Sequence, residues 1–290
     1  TIDPTDGTSV PSRLSSAFGP VIEITNGSGD RVWSLAFQLQ KRFSGGTGLS
    51  AAYTYTDAKD RLGAPGDFAY DNLSATPLDG TWEHRSVRTS IYSRPHAVTL
   101  VGTFDLPLKL QLGLQYTGFS GDPLTYIVWG DANADGVDNL FDHTQDNDAI
   151  YVPKGASDIT LANPADYPRL ERIIQKEQCL HRQRGRILQR NSCRQPWINA
   201  LDVRLTKVLP TLRGHRLEVT ADLFNLLNLL DRDWGLLRIT DSDVGTGSFG
   251  RVSLLQLVGY DSANGRGIYN VLNPRLRHVV PSQWALRLSA

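Results

Sequence analysis

The twelve residues DANADGVDNLFD, Asp131 to Asp142, carry oxygen donors at the spacing that wraps a calcium ion. Asp131, Asn133 and Asp135 stand at loop positions 1, 3 and 5, Gly136 takes the sharp turn at 6, Val137 offers its carbonyl at 7, and Asp142 closes at 12. A calcium sensor of the EF-hand type needs a helix on each side, and the flanks PLTYIVWG and HTQDNDAIYVP are unhelical. Two readings stay open: a loop stapled by calcium, with a closing Asp shorter than the usual bidentate Glu, and a plain Asx-rich turn whose side chains bond their own backbone. No other cofactor is expected.

Cys179 and Cys193 are the only cysteines and lie fourteen positions apart in a polar, basic segment. They either close a disulfide in an oxidising compartment, worth about 3 kcal/mol for a loop of that size, or remain two free thiols. Zinc is poorly served, because His181 beside the first cysteine leaves the fourth ligand unidentified. The surrounding stretch, YPRLERIIQKEQCLHRQRGRILQR, reads as a helix, with Asn163 or Asp166 as cap, Pro168 in the first turn, and Leu170, Ile173 and Ile174 on one face. Residues 169–194 hold eight Lys or Arg against two Glu. That excess suits a solvated face, a nucleic-acid arm, or, in an exposed loop, contact with phosphate groups or another anionic ligand.

Catalytic patterns are missing. The histidines lack H-E-x-x-H spacing, no G-x-S-x-G elbow occurs, and acid pairs such as Asp146 and Asp148 belong to acidic loops. GTGSFG, Gly245 to Gly250, matches G-x-G-x-x-G, but DSDV precedes it and the strand-like RVSLLQLVGY follows, so a loop is the better assignment than a dinucleotide site. The chain is not expected to be an enzyme. Thirty basic residues balance thirty acidic ones over 290 residues, which points to no nucleic-acid partner. With no Met and a polar start at Thr1, the chain is expected to be a fragment or processed piece. No apolar run is long enough for a membrane helix.

The elements that position these loops alternate with period two. Trp33, Leu35, Phe37, Leu39 and Phe43 oppose Ser34, Ala36, Gln38, Gln40 and Arg42, and the pattern returns at Leu49 to Tyr55, His96 to Leu106 and Leu110 to Tyr116. It recurs at Leu201 to Leu205, Leu217 to Leu223 and Trp284 to Leu288. Most segments run to about ten residues, the length a tilted membrane strand needs. Short turns (Ser44 to Gly48, Pro107 and Leu108, Pro210 to Gly214) alternate with excursions at Ala58 to Ser93 and Ser120 to Pro196. One-sided asymmetry of this kind belongs to outer-membrane barrels rather than to sandwiches. The polar side carries Asp202, Arg204, Glu218 and Asp222.

Taken together, PWINALDVRLTKVLP, HRLEVTADLFNLLN with RDWGLLR, the cysteine loop GRILQRNSCRQPW, and GDANADGVDN with DAIYVP resemble the C-terminal barrel region of TonB-dependent outer-membrane receptors, particularly the Oar-like branch. The resemblance implies an all-β fold: a transmembrane antiparallel barrel portion of about eight wall strands from a barrel of roughly 22, with long extracellular loops and one short helix. Residues 1–290 would be the C-terminal part of that barrel, residues 120–196 one long extracellular loop, and residues 228–281 a second, holding a hairpin around Val252 to Tyr260 and Ile268 to Leu272. The implied function is import of a scarce nutrient (siderophore, vitamin, glycan or peptide) across the outer membrane of a Gram-negative bacterium. Its implied partners are the receptor's own N-terminal plug, TonB acting through the N-terminal region, outer-membrane lipid and lipopolysaccharide, and an extracellular ligand. Lumen charges would meet plug residues or water. Family barrels finish on an aromatic residue, so a chain ending at Ala290 is expected to lack its last few positions. The alternatives are a secreted calcium-dependent β-sandwich binding module and a passive porin.

Overall fold

The computed structural model describes residues 25–63, 69–81, 85–133, 146–210, 215–241, 250–278 and 282–290. Seven long strands form a wall: β1 (Arg31–Arg42), β2 (Gly48–Asp60), β3 (His96–Leu106), β4 (Leu110–Phe119), β5 (Ile198–Pro210), β6 (Arg216–Phe224) and β7 (Ala285–Ser289). Each pairs antiparallel with the next, and a short strand, Arg88–Thr89, joins β2 as the eighth member of the sheet. The sheet does not close; β1 and β7 are its two edges.

Register turns the period-two pattern into two faces. Leu39, Ala51, Leu100, Tyr116 and Leu201 stand side by side across five strands, and Val203, Leu223 and Leu286 continue the face over the last three. The opposite face is polar, as in the row Gln38, Ala52, Thr99, Thr117 and Ala200. Among the described wall residues Ala58 is the only buried apolar side chain besides glycine, and Phe37 and Leu39 are 62% and 73% exposed. A β-sandwich would lay a second sheet on this apolar face; among the described residues nothing covers it. Ten strand residues at about 3.3 Å each, tilted by about 40°, span roughly 25 Å, the height of the apolar band of a membrane barrel.

The connections are sorted by end. The three on one side are short, and residues 43–47 and 107–109 make two of them. The second passes through Leu108 and Lys109, both left-handed at φ 64° and 56° without being glycine. On the other side lie residues 61–95, 120–197 and 225–284. Aromatic residues gather at that end: Trp33 packs on Tyr55 with ring centroids 5.2 Å apart, the Tyr53 hydroxyl and His96 Nδ1 are 2.8 Å apart, and Trp197 and Trp284 stand exposed.

The long connections build a second body, the crown. Its five-stranded sheet runs in the order Cys193–Arg194, Pro123–Trp129, Arg251–Asp261, Arg266–Val271 and Thr160–Leu161, and pairs Pro123–Trp129 with Arg251–Asp261 in parallel. The hairpin expected around Val252 and Ile268 is present, as Arg251–Asp261 against Arg266–Val271. Tyr126, Ile150, Leu170, Ile174, Leu180, Leu188 and Leu254 share one dry core there. The expected single helix is a set of short ones: α1 (Ala69–Ala75), α2 (Tyr167–Lys176), α3 (Gln178–His181) and α4 (Leu226–Leu230). Glu177, at φ −89° and ψ 102°, breaks the basic segment between α2 and α3 and lets Leu180 turn into the core that holds Leu170 and Ile174. Asp166 makes no side-chain cap; Asn163 does, accepting from the Ala165 N–H at 3.2 Å in the turn before α2.

Candidate functional site

Cys179 and Cys193 are bonded, which ties α3 to the first strand of the crown sheet. The staple aims the turn between them at the neighbouring connection. The Arg190 side chain, 2% exposed, reaches the Asp60 carboxylate at 2.7 Å at the upper end of β2, and its backbone N–H donates to Asp79 at 3.2 Å. Asp79 also receives the Arg88 guanidinium. Asn191, left-handed at φ 57°, donates its amide to the Thr89 carbonyl and receives the Thr125 hydroxyl. Arg194 donates to the carbonyls of Ser93 and Gly121, and its burial pulls the guanidinium pKa below its ordinary value. Wall, first connection and crown are therefore clasped by charged and amide groups that accept only one geometry.

The candidate calcium loop is described only at its start. Asp131 and Asn133 lie within the described residues; Asp135, Val137 and Asp142 lie outside them. Asp148, outside the sequence-derived ligand set, holds that start: its Oδ2 accepts the backbone N–H of Ala132 and Asn133 at 2.8 and 3.0 Å, and its Oδ1 accepts the Asn133 side-chain amide at 2.6 Å. Asp131, Asp146 and Asp148 are all buried. Among the described residues no three metal-ligating side chains are gathered at one point. GTGSFG lies outside the described residues apart from Gly250, which bends at φ 73° into the strand Arg251–Asp261.

At the third long connection, Asn225 leaves β6 in the left-handed region at φ 51° and fastens three segments. Its backbone N–H donates to Asp202, and its amide donates to the carbonyls of Gly235 and Ser282. Asn228 repeats the device, binding the carbonyls of Arg232 and Trp234 while accepting the Trp284 N–H. An open groove of about 660 Å³ lies beside it, lined by Asn228, Arg232, Asp233, Leu236, Gln283 and Trp284.

The polar wall face carries an ionic knot. Asp222, 4% exposed, accepts Arg204 Nε at 2.5 Å on one oxygen and Arg287 Nε and Nη2 at 3.0 and 2.7 Å on the other. Register places the three side by side on β5, β6 and β7. Of the four wall charges read from the sequence, Arg204 and Asp222 are bonded to each other and Asp202 to the Asn225 N–H, while Arg204 and Arg287 keep more than half of their side chains exposed.

An apolar face open on a seven-strand wall, polar residues behind it and long connections at one end only describe a membrane barrel segment. A family model described as outer membrane beta barrel domain matches residues 2–256. The chain belongs to that family. No curated protein matches the chain, and no solved structure does. As an outer-membrane barrel protein of a Gram-negative bacterium, it turns the Leu39 to Leu201 face to lipid and the Arg204–Asp222–Arg287 face to the barrel interior. Trp33, Tyr55, Trp197 and Trp284, at one end of the wall strands, match the interfacial aromatic girdle that barrels of this class carry.

Period two could not reveal the crown strand at Pro123, the clasp residues Arg190 and Asn191, or the part played by Asp148. PLTYIVW and RVSLL are buried almost continuously rather than on alternate residues, with Thr125, Arg251 and Ser253 among the buried positions, so neither shows a one-faced pattern.

Proposed function

We propose that this chain forms the carboxy-terminal wall and outer loops of a TonB-dependent active-transport receptor, which takes a scarce nutrient from outside and imports it when an N-terminal plug is pulled. The observation that carries the reading is the crown: two connections from one end of the wall share a dry core in a stapled body, and the first connection is bonded to it. A passive pore needs loops that leave the mouth open, whereas a receptor needs a preformed surface that holds ligand. The open arc of wall suits a larger barrel of about 22 strands, wide enough for a plug. In this scheme the exposed guanidinium edges of Arg204 and Arg287 meet the plug, and the crown meets the ligand. The scheme assigns the chain no catalysis.

The test is uptake in the native bacterium. Deleting the gene should abolish high-affinity uptake of one nutrient from a panel of siderophores, vitamins, glycans and peptides, and removing TonB should abolish it equally. Uptake that persists without TonB would make the barrel a passive pore and overturn the proposal.

A further inference from the structure

The basic segment divides its eight cations into two sets. Arg169, Arg184, Arg190 and Arg194 are spent inside the fold, on Asp166 and the Val271 carbonyl, on Glu171, on Asp60, and on the Ser93 and Gly121 carbonyls respectively. Arg172, Lys176, Arg182 and Arg186 are exposed and carry no carboxylate among the described residues. Among the described residues their side-chain hydrogen bonds run to backbone carbonyls alone, from Arg172 to Pro168 and from Arg186 to Arg182.

All four stand on the continuous basic segment of α2, α3 and the turn that follows, the ridge. Arg172 and Lys176 are a helical turn apart on α2. The Arg184 guanidinium, gripping Glu171 through both amino groups, brings the 182–186 turn against the same stretch of helix, one residue from Arg172. Glu177 and His181 are the remaining titratable groups on the segment, so a single acid faces four permanent cations. Beneath the ridge, Leu170, Ile174, Leu180 and Leu188 are fully buried and Cys179 is bonded to Cys193. Mutual repulsion therefore cannot be relieved by the loop swinging apart. A rigid array of unpaired cations on a chain with no net charge concentrates the local field.

We propose that this ridge is a binding site for clustered phosphate groups at the outer face of the cell, an inference that does not depend on the import reading. Three arginines and a lysine offer forked and point donors to phosphate oxygens, and the stapled base removes the ordering cost of binding. Two sources share this chemistry: the phosphorylated core of the surface glycolipid and a soluble phosphate polymer.

Two arms separate them. In the first, the full chain in a neutral detergent is titrated with inorganic polyphosphate at about 50 and 500 mM salt; binding should weaken with salt as exposed charges are screened. In the second, hydrogen exchange across residues 167–187 is compared in zwitterionic lipid discs with and without lipopolysaccharide. Arg182→Gln with Arg186→Gln should weaken binding roughly tenfold, and adding Arg172→Gln with Lys176→Gln should abolish it. Lys replacements at 182 and 186 should recover part of it, and Lys59→Gln on β2 should change nothing. Disulfide formation in each variant reports that the crown has folded. Engagement in the first arm alone identifies a soluble polymer, and in the second alone the glycolipid. The proposal is overturned if neither probe engages, if the double and quadruple variants bind like the parent, or if single-stranded DNA of equal charge binds more tightly than either probe.

Discussion

In the crown, Ile150, Leu170, Ile174 and Leu254 are wholly buried against one another, whereas in the wall Phe37, Leu39 and Leu288 are each more than 60% exposed. The crown obeys the rule for water: apolar groups inside, a staple across the longest segment, and charges outside or paired. In the wall that rule is inverted, because its apolar surroundings are the bilayer and its polar groups must be satisfied among themselves. Thus Asp222 and its two arginines bind one another on the wall, while equivalent charge on α2 is left to solvent. A single sequence can follow both rules because they act on different strands, separated in the chain by the points where β4, β5, β6 and β7 begin or end at the upper rim.

The comparison breaks most severely at the seam. Asp60→Ala strands the Arg190 guanidinium in a site 2% exposed, and the expected cost is about 4 kcal/mol. Proteolysis should then release the crown while β1 to β4 keep their antiparallel signature by infrared spectroscopy; simultaneous loss of both would mean that wall and crown are not separable. Next comes Leu254→Ala, a cavity in the crown core, at about 3 kcal/mol. Hydrogen exchange should rise in residues 123–129 and 251–261 and stay unchanged in β2 and β3. Leu100→Arg reverses the contrast, placing a charge on the lipid face of β3 at a cost of about 2 kcal/mol in refolding into bilayers. Exchange in the crown should not respond, and an equal response there would deny the face its lipid.

The smallest effect is titration of Glu171. Hydrogen bonding to Arg184 holds its carboxyl below the usual carboxylate range. A depressed value means that its stabilisation is complete above the unfolded value of about 4.3 and is lost as pH falls through the folded one. The Arg184 side-chain NMR signals should therefore shift only below the usual carboxylate range, and Glu171→Gln should flatten that curve.

The wall was legible in the sequence because each of its strands has one wet and one oily neighbour, so Trp33 to Phe43 and Leu217 to Leu223 alternate visibly. The hairpin at Val252 and Ile268 was legible for a weaker reason, two strand-like runs around the turn at residues 262–265. The parallel pairing of Thr125 with Arg251 was not, since no local pattern encodes a partner so far along the chain. Single-residue devices were also opaque: Asn225 serves by a left-handed backbone and Glu177 by refusing to be helical, and neither disturbs the composition around it. The basic excess was visible, but its division into four structural and four free cations needed coordinates.

The crown sheet imposes an order of events. β1 with β2, β3 with β4, and β5 with β6 are hairpins that need only their own short turns, so each can form early. The strand at Pro123 has no parallel partner until the chain has delivered Arg251, past two complete wall strands. Closing so long a loop is a late step. During export and insertion the wall must therefore assemble with its upper connections still open, and the outer surface becomes a rigid body only after the strand leading to β7 has arrived.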